Sequence, residues 1–108
     1  MVVTPWSGNG TVDALQAAGS LPGKILVDDT NALHAGYSPL RFAQADSAAE
    51  EMARLRSEAY PVKAFNTVSG YTLGNKRLRF GDVTLTGFYC GDDEAASGLW
   101  VRWYRKLA

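Results

Sequence analysis

Four short stretches of this chain set polar groups, two of them with an aromatic ring, directly after apolar runs. Thr4-Pro5-Trp6 follows Val2-Val3, and Asp28-Asp29-Thr30-Asn31 follows Ile25-Leu26-Val27. Lys63-Ala64-Phe65-Asn66-Thr67 ends the run that starts at Pro61, and Cys90-Gly91-Asp92-Asp93 ends the run 82–89. Hydroxyls, carboxamides and rings together suit a planar polar ligand, the rings giving apolar contact and the amides and hydroxyls hydrogen bonds. Asn, Asp and Thr are also the residues of turns and helix N-caps, so that plainer role stands beside the binding one.

To act together, these stretches must be carried to one place by the elements before them. After the Val2-Val3-Thr4 run, TVDALQAAG puts Val12, Leu15 and Ala18 on one helical face, with Gly19 as a stop and Pro22-Gly23 as a turn. Residues 24–28, KILVD, are a continuous β-branched run, which predicts a strand covered on both faces. Asp29 to Asp46 shows no period and reads as a long loop. Ser47-Ala-Ala-Glu50 is a capping box, opening a helix to about Ala59 with Ala48, Met52, Leu55 and Ala59 inward. PVKAF is a strand, Thr67 to Leu73 a short helix, and 82–91 a further strand. Asp92, Asp93 and Glu94 then open a last helix, whose far end carries Arg102, Arg105 and Lys106; both placements agree with the helix dipole. Alternating strands and helices predict an α/β fold, a parallel sheet with helices on both faces. Such sheets bind ligands beyond the carboxyl ends of their strands.

Composition narrows the field. At 108 residues the chain is one small domain or part of a larger one. Its formal net charge of zero argues against nucleic acid or an anionic membrane as partner. No apolar run is long enough for a membrane span, and the N-terminus lacks signal-peptide order. Cys90, the sole cysteine, forms no intramolecular disulfide; a cytoplasmic setting is expected. At a strand end and with no basic neighbour in sequence, it is expected to be buried and inert. His34 stands without a cysteine or second histidine nearby, which argues against zinc. The acidic triplet 92–94 is better explained by the helix start than by a metal. Lys76, Arg77 and Arg79 read as a solvated turn. Trp100 and Trp103 are expected to pack the last helix on the sheet or a partner.

The pieces TPW, GKILVDDTNAL, SAAEEMARL, VKAFNTV and CGDDEAA, in this order and spacing, resemble the deazaflavin-dependent NADP reductase family. The cytosolic oxidoreductase domain of transmembrane metalloreductases is similar. The resemblance implies a Rossmann fold and hydride transfer between NADP(H) and a second redox cofactor or substrate. It places Thr4, Pro5 and Trp6 along the cofactor's ribose and nicotinamide end. Thr30 and Asn31 come close to the nicotinamide, and Phe65 and Asn66 complete the cleft. Hydride transfer between two bound cofactors needs alignment more than an acid or base, so no catalytic acid is named, and a deazaflavin, a flavin or a metal stays open as the hydride acceptor. Asp29 and Ala32 depart from it, standing where the family has a small residue and often a proline.

The resemblance begins at the fourth strand of the family's domain. The expectation is therefore a partial Rossmann-type parallel sheet, residues 1–108 forming the C-terminal half without the glycine-rich βαβ half. A dinucleotide fingerprint is missing: Gly8-Asn9-Gly10 is followed by Asp13 at the third glycine position, so 7–11 reads as a capping loop. The Val2-Val3-Thr4 strand would then be an open edge, expected to self-associate or to pair with a partner chain. A non-enzymatic remnant or interaction module, needing a partner to bind dinucleotide, is the rival expectation.

Overall fold

The computed structural model describes residues 2–3, 10–31, 46–74 and 79–107. The elements run β1 (Val2–Val3), α1 (Gly10–Ala17), β2 (Ile25–Asp28), α2 (Ala48–Leu55) and β3 (Tyr60–Ala64). They continue with α3 (Gly70–Gly74), β4 (Arg79–Phe80), β5 (Val83–Thr84), β6 (Tyr89–Cys90) and α4 (Glu94–Leu107). Expectations resting on 4–9, Ala32, His34, Lys76 and Arg77, which include Thr4, Pro5 and Trp6, lie outside the described residues.

β2 is the centre of the core, because strand side chains alternate between faces and both faces here are covered. Leu26 joins Leu15 of α1, Ala48 and Met52 of α2, and Ala59 in one cluster. Val27 joins Val62 and Ala64 of β3 and Ala96 and Trp100 of α4 in the other. The main sheet has the order β1-β2-β3-β6, with β1, β2 and β3 parallel. This is a mixed α/β fold with a partial Rossmann-type sheet, as the alternation of elements predicts.

Local chemistry explains where the helices start and stop. Ser47 caps α2 as its capping box predicts: its hydroxyl accepts from the Glu50 amide at 3.2 Å, and the Glu50 carboxylate accepts from the Ser47 amide at 2.7 Å. The helix stops at Leu55, short of the expected Ala59. Arg56 leaves helical geometry, and its guanidinium donates to the Leu15 carbonyl, in the last turn of α1, and to that of Leu55. It thus meets carbonyls that helix ends leave without partners. Ala59 is buried all the same. The predicted helix at 67–73 falls slightly later, at Gly70–Gly74.

The expected strand 82–91 is two strands with a gap between them, and β4 precedes it. Gly81, with φ of 63°, makes a two-residue hairpin turn with Asp82, pairing Phe80 with Val83. β6 then pairs with β3 in the antiparallel sense, Lys63 opposite Cys90 and Ala64 opposite Tyr89, and on this outer strand of the sheet Cys90 is exposed, not buried as expected. The reversal corrects a functional expectation. Cys90-Gly91-Asp92-Asp93 runs away from the carboxyl ends of β2 and β3, toward the opposite edge.

There, Gly91 comes tightly against β3. A Cβ on Gly91 would stand 2.9 Å from the Pro61 carbonyl oxygen and 3.2 Å from Ser97 Oγ. Gly91→Ala must shift backbone, and a destabilisation of about 1–3 kcal/mol is expected in urea denaturation. An effect below about 0.5 kcal/mol would contradict this packing. Pro61 fits in β3 because the Tyr60 amide bonds toward β2, at Lys24; alternation turns the Pro61 nitrogen to the β6 side, where paired residues begin only at Lys63.

Asp93 caps α4, its Oδ1 accepting from the Ala96 amide at 2.7 Å, and Glu94 lies in the first turn. Along β3, α4 runs from the Pro61 end, where Ser97 meets Gly91, to the Phe65 end, where Trp100 and Tyr104 lie. Its last turn carries Arg105 and Lys106. Among the described residues, no helix is long and apolar enough to cross a membrane, and no group of three or more His, Cys, Asp or Glu is placed to hold a metal.

Candidate functional site

β2 and β3 end together, Asp28 opposite Lys63, so the segments that follow leave the sheet at one edge. Asp28 is fully buried. Its Oδ1 accepts from the Thr30 amide at 2.8 Å, and its Oδ2 from Lys63 Nζ at 2.7 Å. Lys63 Nζ also donates to the Thr30 carbonyl at 2.8 Å. Both polar ends of Thr30 are therefore held by a charged side chain. One residue on, Asn31 Nδ2 donates to the Asn66 carbonyl at 2.8 Å, and Asn66 Nδ2 faces Asn31 Oδ1 at 3.4 Å. The two strand-end segments are joined side chain to backbone and amide to amide.

Thr30 and Asn31, Phe65 and Asn66 thus come together as two touching pairs. Thr30 is 4% exposed, and its hydroxyl has no hydrogen-bond partner among the described residues. Buried hydroxyls are nearly always paired, so this one stands out at the edge. After pairing, Asn31 and Asn66 still keep free hydrogen-bonding capacity, because each amide carries two donor hydrogens and an oxygen with two lone pairs.

Phe65 has φ of 66°, the left-handed region, unusual for a residue with a side chain. Its ring is held edge-on against Trp100 at 5.1 Å and Tyr104 at 5.6 Å. A small cavity of about 40 Å³ beside these rings is also bordered by Phe88 and Tyr89. On the polar side of the edge, Asn31 is exposed and Asn66 half-buried.

Beside the ion pair, Asp29 keeps a buried Oδ1 without a partner among the described residues. Burial pushes its carboxyl above the ordinary value, and the charge of Asp28 adds to this; its own backbone amide and Lys63 act in the opposite direction. A raised folded-state value means that the native form holds the proton longer than the unfolded chain. Stability is then lost as pH rises through that window and stays lost above it. Asp29→Asn is expected to raise the melting temperature at neutral pH, with the gain vanishing below the ordinary carboxylate range. Parallel melting curves against pH check this; an equal shift at every pH would refute it.

The described residues form a partial Rossmann-type sheet, with paired amides and a buried hydroxyl without a partner among the described residues at its carboxyl edge. The chain matches no protein-family model. Over its full length it is similar to the crystal structure of a candidate F420-dependent NADP reductase from Arthrobacter sp. FB24, with a TM-score of 0.82 and 31% identity. It spans 50% of that protein's chain. The resemblance to the deazaflavin-dependent NADP reductases, read from the motifs, therefore holds in three dimensions.

Sequence reasoning did not assign roles to Asp28, Lys63, Trp100 and Tyr104 at this edge. A signal for the first two exists: each is the charged residue at or next to the end of an apolar strand, and parallel neighbours put such residues side by side. Nothing in the local pattern signals that Trp100 and Tyr104 would lie against Phe65.

Proposed function

We propose that the chain forms the nicotinamide side of an NADP-dependent oxidoreductase, with residues 1–108 acting as the second half of a dinucleotide-binding domain in a cytoplasmic protein. The observation that carries this reading is the full-length similarity, at 31% identity, to a candidate F420-dependent NADP reductase. Thr30, Asn31, Phe65 and Asn66, with Thr4, Pro5 and Trp6, would hold the nicotinamide and its ribose. When bound, NADP supplies the hydride-carrying ring, opposite a second redox cofactor or substrate. The chain's own part is alignment and exclusion of water, which such a transfer needs more than an acid or base.

The residues fit the two ends of a dinucleotide unequally. The Thr30 hydroxyl, without a partner among the described residues, and the paired amides suit a nicotinamide carboxamide. The start of α1 does not suit a pyrophosphate, because Asp13 in its first turn places a carboxylate where the dipole favours an anion. Phosphate contacts would then come from outside the described residues, and β1, the outer strand of the described sheet, is where a further strand would add.

Titration with NADPH by calorimetry tests this. Saturable binding with a Kd below about 1 mM, weakened in Asn31→Ala and Asn66→Ala, is expected. No binding at that level, by the chain alone or in its oligomer, would favour the second reading, an interaction module without dinucleotide, which Asp13 also favours. Light scattering should find self-association of the isolated chain; a monodisperse monomer at every concentration would remove that part of the reading.

A further inference from the structure

We propose that Lys63 is the positioning residue of this edge: it holds the Thr30 carbonyl and thereby sets the Asn31–Asn66 pair. The Lys63 side chain is 22% exposed and could have extended into water. Instead its ammonium lies 2.7 Å from Asp28 Oδ2 and 2.8 Å from the Thr30 oxygen. Asp28, with no exposure, has its other oxygen on the Thr30 amide. Carboxylate, ammonium and the two backbone groups of Thr30 form a closed ring of charge-assisted hydrogen bonds, the stronger and more directional kind.

Stability alone does not account for such a ring. A buried ion pair is often no better than well-packed apolar residues of the same volume. What the ring supplies is geometry, at the residue immediately before Asn31. With Thr30 held at its amide and its carbonyl, the Asn31 side chain is delivered to the Asn66 carbonyl across the edge. Lys63 thus acts on a ligand only through Thr30 and Asn31. That the pair serves NADPH rests on the reading above; that Lys63 sets the pair does not.

The test uses the full 108-residue chain. The double variant Asp28→Asn/Lys63→Met removes the ammonium without leaving a buried charge, so the fold is expected to survive. Lys63→Arg retains a cationic donor. Nuclear magnetic resonance follows the side-chain amides of Asn31 and Asn66, with the backbone amides of β2 and β3 as reference for the core. The double variant should keep slow exchange in β2 and β3 while Asn31 and Asn66 move to the shifts and exchange of free amides. Lys63→Arg should retain the paired signals. NADPH affinity should fall about tenfold in the double variant, the effect of losing one well-placed contact. If the double variant keeps the Asn31 and Asn66 signals, or loses them only together with the core amides, the proposal is overturned. Failure of the wild-type chain to bind NADPH, with the amide signals responding as described, would refute the nucleotide reading and support the positioning role.

Discussion

Trp100→Ala is expected to destabilise the chain by about 3–5 kcal/mol, the usual cost of emptying a buried aromatic site. A domain of this size has about 5–15 kcal/mol in total, so the variant should approach unfolding at room temperature. The reason is position. Trp100 is 4% exposed and packs with Val27 of β2, Val62 and Ala64 of β3 and Ala96 of its own helix. It also contacts the rings of Phe65, Trp103 and Tyr104. Phe65 adds a further dependence, because a left-handed backbone costs on the order of 1–3 kcal/mol and persists only where its surroundings compel it. Removing Trp100 takes away one of the two rings that hold it. Trp103, 37% exposed, is the control: Trp103→Ala should cost about 1 kcal/mol or less. Urea denaturation of both variants decides the matter, and equal losses would mean that α4 is not seated as described.

Lys63→Met is expected to cost about 3–5 kcal/mol, because it strands the fully buried carboxylate of Asp28 without its counter-charge. The partial exposure of Lys63 points to the lower half of that range. The same change made together with Asp28→Asn should recover most of the loss, since replacing both charges of a buried pair is close to neutral. A double-mutant cycle in urea measures this directly, and additive single effects would show the pair to be uncoupled. The contrast also separates two roles. Stability should return in the double variant, while the ordering of Asn31 and Asn66 should not.

The parts of the fold that were legible in the sequence are those with a local cause. Ser47 and Glu50 announce the start of α2 because the capping box closes within four residues. The KILVD run announces a strand buried on both faces because only a central strand tolerates so continuous an apolar stretch. Gly81-Asp82 is a two-residue hairpin signal at the start of 82–91 that the reading of one long strand passed over. The direction of β6 was not legible, because a short apolar run pairs equally well either way; direction is settled by the length and path of the connection before it. The same holds for the end of α2, which depends on Arg56 finding the Leu15 carbonyl, 41 residues away in sequence. At the candidate site, Thr30, Asn31, Phe65 and Asn66 were named from motif and strand position, and they do meet at one edge. Asp28 and Lys63 were quoted at the strand ends without a role, since their bond depends on the register between two strands.

The direction of α4 changes the electrostatics of that edge. In an ordinary strand-to-helix unit, the helix begins at the carboxyl edge and offers its amide end to whatever binds there. Here α4 begins at the far end of β3 and finishes near Phe65, so its carbonyl end borders the edge, with Arg105 and Lys106 in the same turn. Apart from Lys63, which is paired with Asp28, the positive charge at this end of α4 is borne by exposed side chains, which salt screens, and not by fixed backbone dipoles. An anion drawn to this edge through those side chains would be held loosely in position and lost as ionic strength rises.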